Sequence, residues 1–437
     1  MTELGWPYSP NRNTYIERAE GVYLYTREGQ QILDAAGGAI VANVGHGRAR
    51  VADAVATATK QYTYVVPPWL TPSREAMLEA LGQDWLPDHL TRAHFTSGGS
   101  EANETAIKIA LQYRVALGQA SRTKVIGRSV SYHGTTLATA SISGHPHRKK
   151  GLEAALPSFP EVASPYPLRC PLGSHHESAG AYYAEQLRDL IEAEGADTVS
   201  ALLAEPIIGT SGGAIVPPAD YWPRVRQLCD DYDVLLIMDE VMTGFGRTGT
   251  KFGHQHWDIL PDIMIAGKGL AGGYAPLTGI FTTEKVGQAI ESAEFQVMFN
   301  TFGAHPAACA AATEVLNILT EEDLVAQAAT RGDYLQQSLN QAFADDPHIA
   351  EVRGKGLLAA IEIVKDRESL ERFDSADAVT NRVVGHGLKN GVFFYGGGTG
   401  EVRDIVCMGP PFVITETQID DMVEKLADAV RSVVAKL

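Results

Sequence analysis

Three short apolar runs, each ending in an ionisable residue, constrain this chain more than any other feature. Ala201-Leu-Leu-Ala runs into Glu205, Val234-Leu-Leu-Ile-Met into Asp239-Glu240, and Ile263-Met-Ile-Ala into Gly267-Lys268-Gly269. The runs are continuously apolar rather than alternating, as strands buried on both faces must be. Lys124-Val-Ile-Gly127 is a further run, and stretches with helical apolar spacing lie between the runs at 101–117, 180–195 and 220–232. Alternation of strand and helix from 93 to about 285 predicts a mostly parallel sheet with helices on both faces. The strand C-termini of such a sheet fall on one edge, where ligands bind. Topology alone therefore carries acids and a lysine to a common rim.

The flanking segments read differently. Short strands are expected at 21–25 and at Gln31–Asp34, and helices at 48–62 and 73–83. One long helical stretch is expected from about His305 to Ala344. A second α+β segment follows, with a strand over 356–364, a helix near 375–390, runs at 392–395 and 405–408, and a last helix at 417–436. Gly396-Gly-Gly-Thr-Gly400 reads as a flexible loop between two strands. The expectation is an α/β protein with residues 61–320 as its large domain. Residues 1–60 and 321–437 would form a smaller α+β domain.

Charge narrows the function. The net charge of −17, from 36 basic and 53 acidic residues, repels phosphate backbones and anionic lipid. The longest basic cluster, Arg148-Lys149-Lys150, reads as a solvated loop, so neither nucleic acid nor membrane is expected as a partner. No apolar stretch approaches the roughly 20 residues that span a bilayer. The four cysteines lack a CxxC pair, which fits reduced thiols and gives no zinc site. His145, His147, His175 and His176 have no metal-ligand setting and are expected at the surface; no metal is expected. Met1 to Pro10 lacks a basic patch followed by an apolar run, so a cytoplasmic protein is expected.

The rim residues suggest a chemistry. Thr96-Ser-Gly-Gly-Ser-Glu-Ala-Asn-Glu104 precedes a helical pattern, with Ser100 as the expected N-cap. Free N–H groups at a helix start bind anions, so a phosphate could sit at Gly99 and Ser100. Lys268, at the end of an apolar run between glycines, is set for desolvation, which favours its neutral, nucleophilic amine. Each feature alone reads as ordinary structure. Together they supply what pyridoxal 5′-phosphate (PLP) requires: a Schiff-base lysine in Lys268, an acid for the pyridine nitrogen in Asp239, a phosphate cradle at Gly99 and Ser100, and a flat ring in Tyr132.

An ordered set of motifs makes the reading specific. It runs through Leu33-Asp-Ala-Ala-Gly-Gly, Asn43-Val-Gly-His-Gly47, the 96–103 segment, Ser131-Tyr-His-Gly134 and Ala204-Glu-Pro-Ile207. It continues through Met238-Asp-Glu-Val241, Gly244-Phe-Gly-Arg-Thr-Gly249, Pro261-Asp-Ile263, Gly267-Lys-Gly269, Gly303-Ala-His-Pro306, Arg353-Gly-Lys-Gly356 and Pro410-Pro411. Over nearly its whole length the chain resembles the class III PLP-dependent aminotransferases of fold type I, the group of ornithine, 4-aminobutyrate and ω-amino acid transaminases. The resemblance implies that Lys268 forms the Schiff base and shuttles the proton, and that Asp239 partners the pyridinium. Val241 and Tyr132 would face opposite sides of the ring, with His133 and Glu205 also near the cofactor. Thr301 would reach the phosphate of a neighbouring subunit, which implies a homodimer, or a tetramer built from it, with sites at the interface.

The resemblance also implies substrates: an amine or amino acid donor and a keto acid acceptor, pyruvate or 2-oxoglutarate, exchanged in ping-pong order through an imine on Lys268. Aminomutases, racemases, decarboxylases and lyases share these cofactor residues and form the alternative. Some positions depart from the pattern. Ile208 stands where many members have a glutamine, and Ile40 where amine-specialised members have a tryptophan. Arg403 lies closer to Pro410 than the carboxylate-binding arginine usual there, and a salt bridge to Glu401 or Asp404 would equally explain it. Ile40, Trp69 and Arg403 are the expected substrate contacts, with Tyr64 a further candidate for the mouth.

Overall fold

A computed structural model describes residues 14–295 and 299–437. Its centre is a seven-stranded sheet in the order Leu90–Thr96, Thr278–Thr283, Ile263–Ala266, Leu235–Asp239, Val199–Ala204, Lys124–Arg128, Glu161–Val162. Thr278–Thr283 runs antiparallel to both its neighbours, while the pairs from Ile263–Ala266 to the far edge are parallel. The three runs that end at the rim are buried along their whole length. Successive side chains leave a strand on opposite faces, and the core divides accordingly. Ala201, Leu203, Ile237 and Ile265 pack under the helix Gly99–Ala116. Leu202, Ala204, Leu236 and Met238 pack against the helices Ala179–Glu194 and Tyr221–Asp231. The sheet is thus covered on both faces, and only its edge is left for a ligand.

Two further four-stranded sheets flank it. In one, the strand Gln31–Asp34 pairs in parallel with Val392–Phe393, so the beginning and end of the chain share a sheet. The other joins Ile349–Lys355, Leu358–Ile363, Val402–Met408 and Tyr395–Thr399. The last of these corrects the expected flexible loop: residues 396–399 lie in a strand paired with Val402–Met408, and the turn falls at Gly400, with φ 57°. The expected long helix is also two, Pro306–Glu321 and Leu324–Ala342. Asp323, with φ 48°, breaks the run, since a left-handed residue cannot continue a right-handed helix.

Buried Arg247 ties the flanking portions to the centre. Its guanidinium donates to the carbonyls of Ala42 (2.8 Å), Pro410 (2.7 Å) and Leu357 (3.2 Å) and lies over the Phe412 ring. Burial pushes its pKa down to about 9. Three segments far apart in sequence thus close around the Gly244–Gly249 motif.

Candidate active site

The parallel strands deliver Glu205, Asp239 and Lys268 to one rim, where they line a cavity of about 550 Å³. Asp239 is nearly buried and firmly held. Its Oδ2 accepts from Asn103 Nδ2 (2.9 Å) and His133 Nδ1 (2.8 Å), and its Oδ1 from the Val241 N–H (3.0 Å). Because the carboxylate can only accept, the His133 proton is fixed on Nδ1. That leaves His133 Nε2, 3.9 Å from Glu205 Oε2, and Asn103 Oδ1 buried without a hydrogen-bond partner among the described residues. The adjacent acid, Glu240, turns the other way. It accepts from the N–H groups of Gly253 (2.8 Å) and His254 (2.7 Å) and from His254 Nδ1 (2.9 Å). Of the Asp239-Glu240 pair, only Asp239 faces the cavity.

Lys268 opens a single 3₁₀ turn after its strand, with φ 38°. Both flanking glycines are required by close approach. A Cβ on Gly267 would lie 2.5 Å from Thr278 Oγ1, and one on Gly269 would lie 3.0 Å from Phe245 and 3.1 Å from Asn43 Nδ2. Burial pushes the Lys268 amine down to about 8, opposed by the negative charges of Asp239 and Glu205 and assisted by Arg247. Among the described residues its side chain makes no ion pair or hydrogen bond, so its neutral fraction near neutral pH is larger than that of a free lysine.

Glu205 acts on the opposite wall. One carboxylate oxygen accepts from fully buried Arg128 (2.9 Å), the other from the backbone N–H of Tyr132 (3.1 Å). It therefore fixes the loop that presents the Tyr132 ring. That ring lines the cavity, meets His145 edge-on at 6.2 Å, and carries the Arg148 guanidinium 4.6 Å from its centroid. His145 is thus half-buried rather than at the surface as expected, and burial together with Arg148 pushes it down to about 4. His147, His175 and His176 are exposed.

The glycine-rich segment forms the remaining wall. Gly98, not Ser100, is the N-cap of the helix Gly99–Ala116. Ser100 stands one residue inside it, where its Oγ accepts from the Thr135 N–H (3.0 Å). First-turn N–H groups have no acceptor within their helix, and Gly99 and Ser100 present theirs at the cavity. Gly99 packs on Val241, whose Cγ1 would lie 3.2 Å from a Cβ at that position, and a Cβ on Gly134, at φ 145°, would clash with Ser100 Oγ at 2.5 Å.

Several expected contacts lie elsewhere. Ile40 is buried behind the cavity, in a cluster with Ile207, Ile208 and Cys407; its neighbour Val41 lines the cavity instead. Arg403 pairs with Glu401 (3.2 Å), lies 3.8 Å from Asp404 and donates to the Phe373 carbonyl (2.9 Å), so it is committed away from the site. Thr301 is exposed, as are Trp69 (69 %) and Tyr64 (38 %), and they do not line this chain's cavity. Buried Arg74 binds the carbonyls of Val65, Val66, Trp69 and Ala304, which holds the Trp69 and Thr301 segments side by side. Asn103, Arg128 and Thr278 were not singled out by sequence. Asn103 had a signal, since helical spacing places it one turn from Gly99, on the same face.

The site fits PLP by its own chemistry. An acid is held by three hydrogen-bond donors at depth, a desolvated amine lines the same cavity, helix N–H groups face the same space, and Tyr132 and Val241 form apolar walls. Among the described residues no cluster of His, Cys, Asp or Glu could hold a metal ion.

Comparison with known proteins agrees. The family description "Aminotransferase class-III" matches residues 8–430. An uncharacterized aminotransferase of Schizosaccharomyces pombe is 37% identical over 436 residues, covering 98% of this chain and 95% of that protein. The putrescine–pyruvate aminotransferase of Pseudomonas aeruginosa is 36% identical over 417 residues, covering 93% and 88%. The crystal structure of the omega transaminase from Pseudomonas jessenii in complex with PMP superposes with a TM-score of 0.93 at 33% identity, covering 99% of this chain and 97% of that one. The chain belongs to the class III aminotransferases, PLP-dependent enzymes of fold type I.

Proposed function

We propose that this aminotransferase takes the amino group of a primary amine or amino acid and passes it to a keto acid, pyruvate or 2-oxoglutarate, with Lys268 as the residue that moves the proton. The observation that carries the reading is a desolvated, unpaired lysine amine in the same cavity as an aspartate held by three hydrogen bonds. Bound PLP would supply an aldehyde that condenses with amines and a cationic ring that accepts electron density. With the cofactor bound, Lys268 Nζ would take the proton from the carbon bearing the donor's amino group and deliver it to the carbon of the former aldehyde, and would run the same transfer backwards with the keto acid. Asp239, held by its three donors, would pair with the positive charge on the ring nitrogen. Gly99 and Ser100 would bind the phosphate, Tyr132 and Val241 would flank the ring, and Glu205 keeps the Tyr132 loop in place. His133 orients Asp239.

We further assign Thr301 and Trp69 to a homodimer interface. Trp69, Leu70, Phe299 and Phe302 are each more than half exposed, and Tyr64 stacks edge-on against Phe302 at 6.4 Å. An apolar surface of this kind is what a second copy covers. A cytoplasmic location fits four buried free cysteines.

A donor–acceptor screen tests the function. Purified protein loaded with PLP is mixed with ω-amines, β-amino acids and α-amino acids in turn, first without and then with pyruvate or 2-oxoglutarate. Loss of the aldehyde absorbance on adding donor alone, and its return with the keto acid, is expected. An aldehyde spectrum that persists while product accumulates would refute amino transfer.

A further inference from the structure

Lys268 sits at φ 38°, a left-handed backbone that costs free energy in any residue with a side chain and persists only where its surroundings enforce it. The turn Lys268–Leu270 supplies one restraint itself, the bond from the Leu270 N–H to the Gly267 carbonyl (2.9 Å). Among the described residues a single side chain bonds to the backbone of 267–270. It is Asn43, whose Nδ2 donates to the carbonyl of buried Gly269 (2.9 Å) across 226 positions of sequence.

Asn43 is 1 % exposed and does not line the cavity, so it touches Lys268 only through this turn. The amide is braced from behind: its Oδ1 accepts from the Val44 N–H (2.8 Å), and the Asn43 carbonyl accepts from the Phe412 N–H (2.7 Å). Glycines opposite make room for it. A Cβ on Gly269 would lie 3.1 Å from Asn43 Nδ2, and one on Gly272 would lie 2.8 Å from Asn43 Oδ1. The two segments meet again at Tyr274, whose hydroxyl donates to the Gly45 carbonyl (2.8 Å) and accepts from the Arg48 N–H (2.8 Å). Amide chemistry suits the position. A leucine would leave the Gly269 carbonyl buried without a donor, and an aspartate would face it with a second acceptor.

We propose that Asn43 is a positioning residue for Lys268: by holding the Gly269 carbonyl it fixes the left-handed backbone that aims the amine into the cavity. The inference rests on Lys268 as the lysine that takes up the cofactor. Freed from that bond, the turn relaxes toward an ordinary backbone conformation and carries the amine out of the cavity toward water. Desolvation then weakens, and the amine's proton affinity returns toward that of a free lysine. A role confined to loop packing would cost stability and leave the amine unchanged.

The test reads the amine directly. Full-length protein without cofactor is arylated with trinitrobenzenesulfonate over a series of pH values, and the rate at position 268 is followed by peptide mapping. The midpoint of the wild type, near pH 8, should rise by about one pH unit in Asn43→Leu, a tenfold loss of neutral amine at pH 7. In PLP-loaded enzyme the maximal rate of the donor half-reaction should fall about tenfold as well, while the apparent donor affinity changes by less than about threefold. Val430→Ala opens the core in the helix Glu416–Val434, which is hydrogen-bonded to neither segment, and should lose stability yet keep the wild-type midpoint. An unchanged midpoint in Asn43→Leu, or an equal rise in Val430→Ala, overturns the proposal. If Asn43→Leu does not fold, Asn43→Ala, which removes the amide, and Gly269→Ala, which crowds it, decide by the same midpoint. Borohydride reduction of the PLP-loaded wild type separates the two readings. A label on another lysine would sink the role of Lys268, and the arylation midpoint would still support or overturn the placement of its amine by Asn43.

Discussion

At the scale of single residues, Lys268 is the point at which burial and chemistry meet. Its folded-state pKa of about 8 lies below the 10.5 of a free lysine. Below about pH 8 the amine is charged in both folded and unfolded chains, and the cofactor-free fold carries the full cost of that buried charge. Between about 8 and 10.5 the folded chain has lost a proton that the unfolded chain keeps, so the stability of the cofactor-free enzyme should rise over that window. Lys268→Met should remove this rise, as denaturant melts at pH 7 and pH 10 would show. The rate of PLP uptake should climb with pH to a plateau near 8 rather than near 10.5. Lys268→Ala should lower turnover by roughly ten-thousand-fold or more, and borohydride should no longer fix the cofactor to the peptide holding position 268. Asp239→Asn keeps the shape but loses the charge, and a fall in turnover of about 10²–10³-fold is expected. Asn103→Ala removes one of the three donors to Asp239 and should cost less than Asp239→Asn in the same assay.

At the scale of elements, glycines set how closely loops meet. Gly134→Ala would push a methyl into Ser100 Oγ from a backbone position at φ 145°. It should destabilise by about 1–3 kcal/mol and weaken PLP binding by displacing the 97–100 loop, measurable as a lower melting temperature and a higher dissociation constant. Asp323→Gly should do the opposite, adding about 0.5–1 kcal/mol, because the exposed break between two helices needs a left-handed residue. The buried strands and the ends that carry Glu205, Asp239 and Lys268 were legible from apolar runs, because burial on both faces leaves a continuous signature. The helix break at Asp323 was not, since apolar spacing passes through a single residue of reversed backbone. Nor was the strand at 395–399, where three glycines hide a pairing set by Val402–Met408. At the site, Ile40 and Arg403 were misread because motif position says which segment is near, not which side chain turns inward. Arg148 is exposed, as expected, but its stacking on Tyr132, sixteen positions earlier, was not legible because only the fold brings the two together.

At the scale of the whole molecule, the exposed aromatic surface around Tyr64, Trp69, Phe299 and Phe302 is where the proposed homodimer would be joined. A charge placed there, as in Trp69→Glu, should weaken self-association by about thirtyfold, the loss of one interfacial anchor. Sedimentation velocity should show a dimer for the parent and, at the same concentration, monomer for the variant, with activity falling in step. The pairing of Gln31–Asp34 with Val392–Phe393 has a consequence for how the protein is made. Ribosomes elongate at about 5–20 residues per second, so the first strands emerge and wait, with one edge open, until Val392–Phe393 has been translated. During that interval the early segment is a sticky nascent end, and its dependence on cotranslational chaperones should exceed that of the central parallel strands, whose partners follow much sooner in the chain.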